Sequence, residues 1–119
     1  MKRSLWIKAL CICYLACFGS LTAIAQSEYP TKPVKIIVPF PPGGTTDLMA
    51  RISAEQLTKI LKQAFVIENI AGGGGVIGAE RAAGAQPDGY TLVMTGVGQN
   101  AVAHGLDPNL KYDSIKDFA

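Results

Sequence analysis

The chain has 119 residues, 49% of them hydrophobic, and a formal net charge of +2. That length suits one small domain. Beyond residue 25 there are eight Lys or Arg against nine Asp or Glu and no basic run, so nothing argues for nucleic acid as a partner and none is expected.

The first 25 residues have the form of a secretory signal peptide. Lys2 and Arg3 supply the positive start, an apolar stretch follows, and Ala23-Ile24-Ala25 is a small-x-small cleavage pattern before Gln26. The competing reading is a membrane anchor, but the uncharged run Ala9 to Ala25 is about 17 residues, at the short limit for a span. All three cysteines, Cys11, Cys13 and Cys17, fall in this leader, so the processed chain has no disulfide. Leu15-Ala16-Cys17 resembles a lipoprotein processing site, although the residues after Cys17 are apolar where a polar tether is expected.

Residues 26–31 form a polar lead-in. Val34 to Phe40 is rich in β-branched residues and predicts a strand. Pro39, Pro41 and Pro42 end it, because proline cannot donate to a ladder. Gly43 and Gly44 then allow a sharp turn into a helix from about Thr46 to Lys62. Thr45 or Thr46 is expected to cap that helix, with Asp47 in its first turn. Met49, Ile52, Leu57 and Ile60 fall on one arc and are expected to face the core, with Leu48 and Leu61 at the edges.

Ala64 to Glu68 predicts a second strand, Asn69 to Gly75 a glycine-rich loop, and Val76 to Ala85 a second helix. Pro87-Asp88-Gly89 is a turn signal. Tyr90 to Thr95 predicts a third strand, followed by the loop Gly96 to Asn100 and a helical turn at Ala101 to Gly105. Strand, helix, strand, helix, strand is a βαβαβ unit, so the expected fold is α/β with an open, mostly parallel sheet. The next element is expected just where the chain stops, which reads as a truncated product.

Gly73 to Gly78 satisfies G-x-G-x-x-G, but four residues separate it from the strand, and no acidic residue ends the next strand to hold a ribose. No P-loop is present. With one histidine, His104, and no cysteine beyond the leader, neither a zinc site nor a Cys/His nucleophile is expected. No carboxylate pair is placed for acid–base work, so no catalytic residue, metal or cofactor is assigned. What remains is a binding surface. The turn Pro42, Gly43, Gly44, Thr45, Thr46, Asp47 and the loop Thr95, Gly96, Val97, Gly98 both follow strands at one end of the sheet. Free backbone N–H groups at a helix N-terminus there suit a carboxylate.

Tyr29-Pro30-x-Lys32-Pro33, then Ile37-Val38-Pro39-Phe40-Pro41-Pro42-Gly43-Gly44 with Asp47, resembles the opening of the Bug receptors, the tripartite tricarboxylate transporter substrate-binding family. Glu68-Asn69, Gly78-Ala79-Glu80, Pro87 to Leu92 and Tyr112 to Phe118 resemble its later blocks in order. The resemblance covers residues 26–119. It implies the first lobe of a periplasmic binding protein-like (type II) fold. Such receptors capture di- or tricarboxylates, amino acids or aromatic acids and deliver them to transporter membrane subunits. It also implies that the two loops named above grip the ligand carboxylate. Ile70-Ala71-Gly72 departs from a family pattern that more often carries Arg-Pro-Gly. The family's chain is roughly two to three times as long, so the second lobe is expected to be missing and binding by this chain alone to be weak or nil. Two other readings stand beside the receptor: a truncated product without a ligand, and an enzyme fragment using the glycine loop for a nucleotide.

Overall fold

A computed structural model describes residues 29–118. The expected leader, its cleavage after Ala25 and the Cys17 site lie outside the described residues. Three strands pair in parallel in the order β2-β1-β3: β1 (Val34–Val38), β2 (Phe65–Asn69) and β3 (Thr91–Val93). Ile36 of β1 sits in register with Ile67 on one side and Leu92 on the other. Helix α1 (Thr45–Leu61) connects β1 to β2, and α2 (Val76–Ala83) connects β2 to β3. A π-helical segment, Gly98–Val102, runs into the short α3 (Ala103–Leu106).

The expected α/β unit with an open parallel sheet is thus present. Its central strand reads Val34, Ile36, Ile37, Val38, all buried, as a parallel strand covered on both faces should. With β1 in the middle, two right-handed crossovers place their helices on opposite faces. The packing agrees. Ile36 and Val38 cluster with Ala50 and Ala54 of α1, backed by Phe65, Ile67 and Met94. On the other face, a Cβ on Gly78 of α2 would lie 2.6 Å from the Pro39 ring and 2.7 Å from the Ile70 carbonyl oxygen. Gly78 is therefore the point where α2 touches the end of the sheet, and no side chain fits there.

The helical period of α1 is as expected, but its phase is not. Asp47, Ala50 and Ala54 are the buried positions, whereas Met49, Ile52 and Ile60 are 53%, 48% and 71% exposed. Small residues let the helix lie close on the β-branched surface of β1, so the alanines are inside and three bulkier residues outside. Leu57 alone of the expected arc is half-buried.

The ends also moved. Gly44, not a threonine, occupies the cap position of α1, with no side-chain cap bond. Strand β2 extends to Asn69 and β3 is confined to Thr91–Val93. Gly84 ends α2 before the expected Ala85.

At the amino end of the sheet, the lead-in is tied to the turn before β3. Thr31 donates its N–H to the Tyr90 hydroxyl at 3.0 Å, and the Lys32 ammonium lies 4.3 Å from the Tyr90 ring centre. The carboxyl end is left to the loops.

Candidate functional site

Strands β1 and β3 are neighbours, and the chain leaves them toward opposite faces. After β1 it turns into α1. After β3 it enters the Gly98–Val102 segment, which packs on the Gly73–Gly75 turn preceding α2. A crevice at the carboxyl end of adjacent parallel strands with diverging connections is where open α/β sheets receive ligands. Both expected loops follow the carboxyl ends of these two adjacent strands. Pro42, Gly43, Gly44 and Thr45 are exposed, Thr46 is half-buried, Gly96, Val97 and Gly98 are exposed, and Thr95 is half-buried.

The first loop is held from beneath by Asp47, whose side chain is only 4% exposed. Its Oδ2 accepts from the Gly43 N–H and from Arg51 Nε, both at 2.9 Å. Its Oδ1 accepts from Asn69 Nδ2 at 2.9 Å. The same Asn69 amide nitrogen donates to the Phe40 carbonyl at 3.0 Å. One amide at the end of β2 therefore bolts together both ends of the Phe40–Asp47 turn. The Arg51 guanidinium, the Gly43 N–H and the Asn69 amide hold the Asp47 carboxyl well below the usual carboxylate range, and Asp47 in turn raises Arg51.

This arrangement changes which donors the loop offers. The Gly43 N–H, expected to be uncovered, is satisfied internally. The first intrahelical bond of α1 runs from Leu48 N to the Gly44 carbonyl at 3.0 Å. The N–H groups of Thr45, Thr46 and Asp47 precede it and have no intrahelical acceptor. The Asp47 carboxylate itself is engaged by protein groups, so its contribution is to the shape of the loop.

The second loop repeats the construction. Gln99 is 4% exposed. Its Oε1 accepts from the Gly96 N–H at 3.2 Å, and its Nε2 donates to the Gly74 carbonyl at 2.6 Å. The buried Tyr112 hydroxyl donates to the Gln99 carbonyl. Asn100 N bonds the Gly96 carbonyl at 3.1 Å, so the Val97, Gly98 and Gln99 N–H groups stand ahead of the first helical bond.

Sequence reasoning missed Asn69 and Gln99 as site residues. The signal for Asn69 was its place at the end of an apolar strand, where a buried amide needs partners. The signal for Gln99 was a glycine three residues before it and a glycine run elsewhere able to accommodate it. His104 packs edge-on against the Tyr112 ring at 5.2 Å between centres, which is a packing role. Among the described residues, no group of three or more His, Cys, Asp or Glu could hold a metal. A groove of about 490 Å³ runs along α2, lined by Ile77, Glu80, Arg81, Ala83, Gly84, Lys111 and Asp117. It contains none of the expected site residues.

The G-x-G-x-x-G stretch is explained by packing. A Cβ on Gly75 would lie 2.4 Å from Gln99 Nε2. A protein amide occupies the space above this glycine.

The model of the tripartite tricarboxylate transporter family receptor matches residues 49–119, more than half of the chain. The chain belongs to this family. It is 41% identical to protein BugT of Bordetella pertussis over 106 residues, which are 88% of this chain and 32% of that protein. Among solved structures, it is similar to MatC of Rhodopseudomonas palustris with bound malate, with a TM-score of 0.71 at 42% identity. That match covers 75% of this chain and 30% of MatC. It is also similar to an R. palustris protein solved with adipate, with a TM-score of 0.70 at 38% identity over 74% of this chain and 29% of the other. A further similar structure, described as a periplasmic transporter, has a TM-score of 0.72 at 48% identity over 74% of this chain and 30% of the other. The fold is that of the periplasmic binding proteins, as the resemblance implied. The chain spans about a third of the length of the BugT relative.

Proposed function

We propose that this chain carries the carboxylate-gripping corner of an extracytoplasmic solute receptor. The receptor captures a small carboxylate and hands it to the membrane subunits of a tripartite tricarboxylate transporter. The observation that carries the reading is that two loops follow the carboxyl ends of adjacent parallel strands, each opening a helical segment with first-turn N–H groups. Thr45 and Thr46 come after β1, and Val97 and Gly98 after β3, so both sets of donors follow strand ends of the same kind. Backbone donors at a helix start stabilise an anion without a dedicated cation. Malate and adipate, bound by the two similar R. palustris proteins, are the first ligands to try. Periplasmic placement follows from the family and from the leader-like sequence of residues 1–25, with cleavage proposed after Ala25. The role proposed is capture, as befits the receptor family to which the chain belongs.

The test is thermal unfolding of the full chain with a panel of di- and tricarboxylates, amino acids and aromatic acids, set against NAD and ATP. A ligand that binds only the folded state raises the Tm. Stabilisation by carboxylates supports the receptor reading. Stabilisation by nucleotides alone overturns it.

A further inference from the structure

Each proposed ligand loop is fixed by a buried side chain that satisfies a glycine N–H within the loop. Asp47 takes the N–H of Gly43 four residues before it, and Gln99 takes that of Gly96 three residues before it. Each of these side chains then reaches the stretch from the end of β2 to the start of α2: Asp47 bonds Asn69, the last residue of β2, and Gln99 bonds the Gly74 carbonyl in the turn before α2. The two loops thus share one floor although they belong to different strands.

We propose that Asp47 and Gln99 are positioning residues of the carboxylate site, acting together through the Asn69–Gly75 connection. The inference rests on the receptor reading above. Its physical basis is preorganisation. Donors already aimed before the ligand arrives cost little ordering on binding, whereas a loop of glycines and threonines left unheld must be ordered by the ligand itself. Asp47 also satisfies the innermost N–H of its turn, so that the ligand meets the outer, first-turn donors. Arg51 balances the charge of Asp47 from outside, and the cradle keeps its attraction for an added anion.

The test uses the full chain labelled with ¹⁵N, titrated with malate and with adipate, in wild type, Asp47→Asn and Gln99→Met. Asp47→Asn turns a carboxylate oxygen into an NH₂ group that cannot accept all three bonds. Gln99→Met keeps the length but neither polar atom. Ala79→Gly, at a buried position of α2 outside both loops, serves as a control that lowers stability alone. Each variant is measured at a temperature where it is fully folded. Asp47→Asn and Gln99→Met should each weaken carboxylate binding about tenfold or more, with Ala79→Gly unchanged. In the absence of ligand, the amides of Gly44 to Thr46 should lose order in Asp47→Asn, and those of Gly96 to Gly98 in Gln99→Met. Because the floor is shared, the double variant should lose less than the product of the two single effects. Unchanged affinity in both folded variants, with wild type binding, overturns this inference and leaves the receptor reading intact. No response of the wild-type loop amides to any carboxylate overturns the receptor reading, and this inference with it.

Discussion

Gln99 lies directly over Gly75, so close that a Cβ on the glycine would come within 2.4 Å of the amide nitrogen. Gly75 is buried and has a φ of +97°. The backbone conformation disfavours any side chain there, and a Cβ would push the Gln99 amide aside. Gly75→Ala should therefore destabilise the chain by about 1–3 kcal/mol and detach Gln99 from the Gly74 carbonyl. Urea unfolding with unchanged m-value checks the first part. Collapse of the shift difference between the two Gln99 side-chain amide protons checks the second.

Gly78 makes the corresponding contact on the sheet, against Pro39 and the Ile70 carbonyl. The obstruction includes backbone, which cannot turn aside as a long side chain can. Gly78→Ala should cost about 2–3 kcal/mol by overpacking, and separate α2 from the end of β1. Circular dichroism during thermal unfolding reads this as a lower Tm. An unchanged Tm contradicts the packing of α2 on Pro39.

The altered phase of α1 gives an opposite pair of expectations. Ile52 is 48% exposed and Ala54 5%. Ile52→Gln should change stability by no more than about 0.5 kcal/mol, while Ala54→Leu should cost about 1–3 kcal/mol by forcing the helix off β1. If Ile52→Gln proves the more damaging substitution, the orientation of α1 is wrong.

The orientation of α1 separates what the sequence carries from what it does not. The period of its apolar residues was legible, as were the β-branched run Val34–Val38 and the Pro87–Gly89 turn. The rotation of the helix was not, because hydrophobicity favours the bulkiest side chains, whereas closeness to β1 selects Ala50 and Ala54. In the proposed site, the positions of Pro42–Asp47 and Thr95–Gly98 after β1 and β3 were legible from their glycines and prolines. Asn69 and Gln99 were not, because their partners, Phe40, Asp47 and Gly74, lie 22 to 29 residues away in sequence. Such pairings exist only once the sheet order β2-β1-β3 has brought the loops together.

Acid should unlock the first loop. The Asp47 carboxyl is depressed by Arg51, the Gly43 N–H and Asn69. A depressed folded-state value stabilises the fold above the unfolded carboxylate value of about 3.9 and is lost as pH falls below it. Asp113, depressed to about 2 by Lys116 and the Ile115 N–H, acts in the same direction in the 113–117 turn. Stability should be flat from about pH 7 to 5 and fall below about pH 4. In Asp47→Asn the fall should be shallower, from a lower plateau. Denaturant midpoints measured across that range decide it, and an equally steep fall in the variant removes Asp47 from the account.

The central claim is that a carboxylate sits between the two loops, and ¹H–¹⁵N amide shifts of the full chain titrated with malate test it most directly. The amides of Thr45, Thr46, Val97 and Gly98 should move together along one saturable curve, at about millimolar affinity for this single unit. Shifts confined to the Arg81 and Lys111 groove, or no shift at the two loops with malate or adipate, would contradict it.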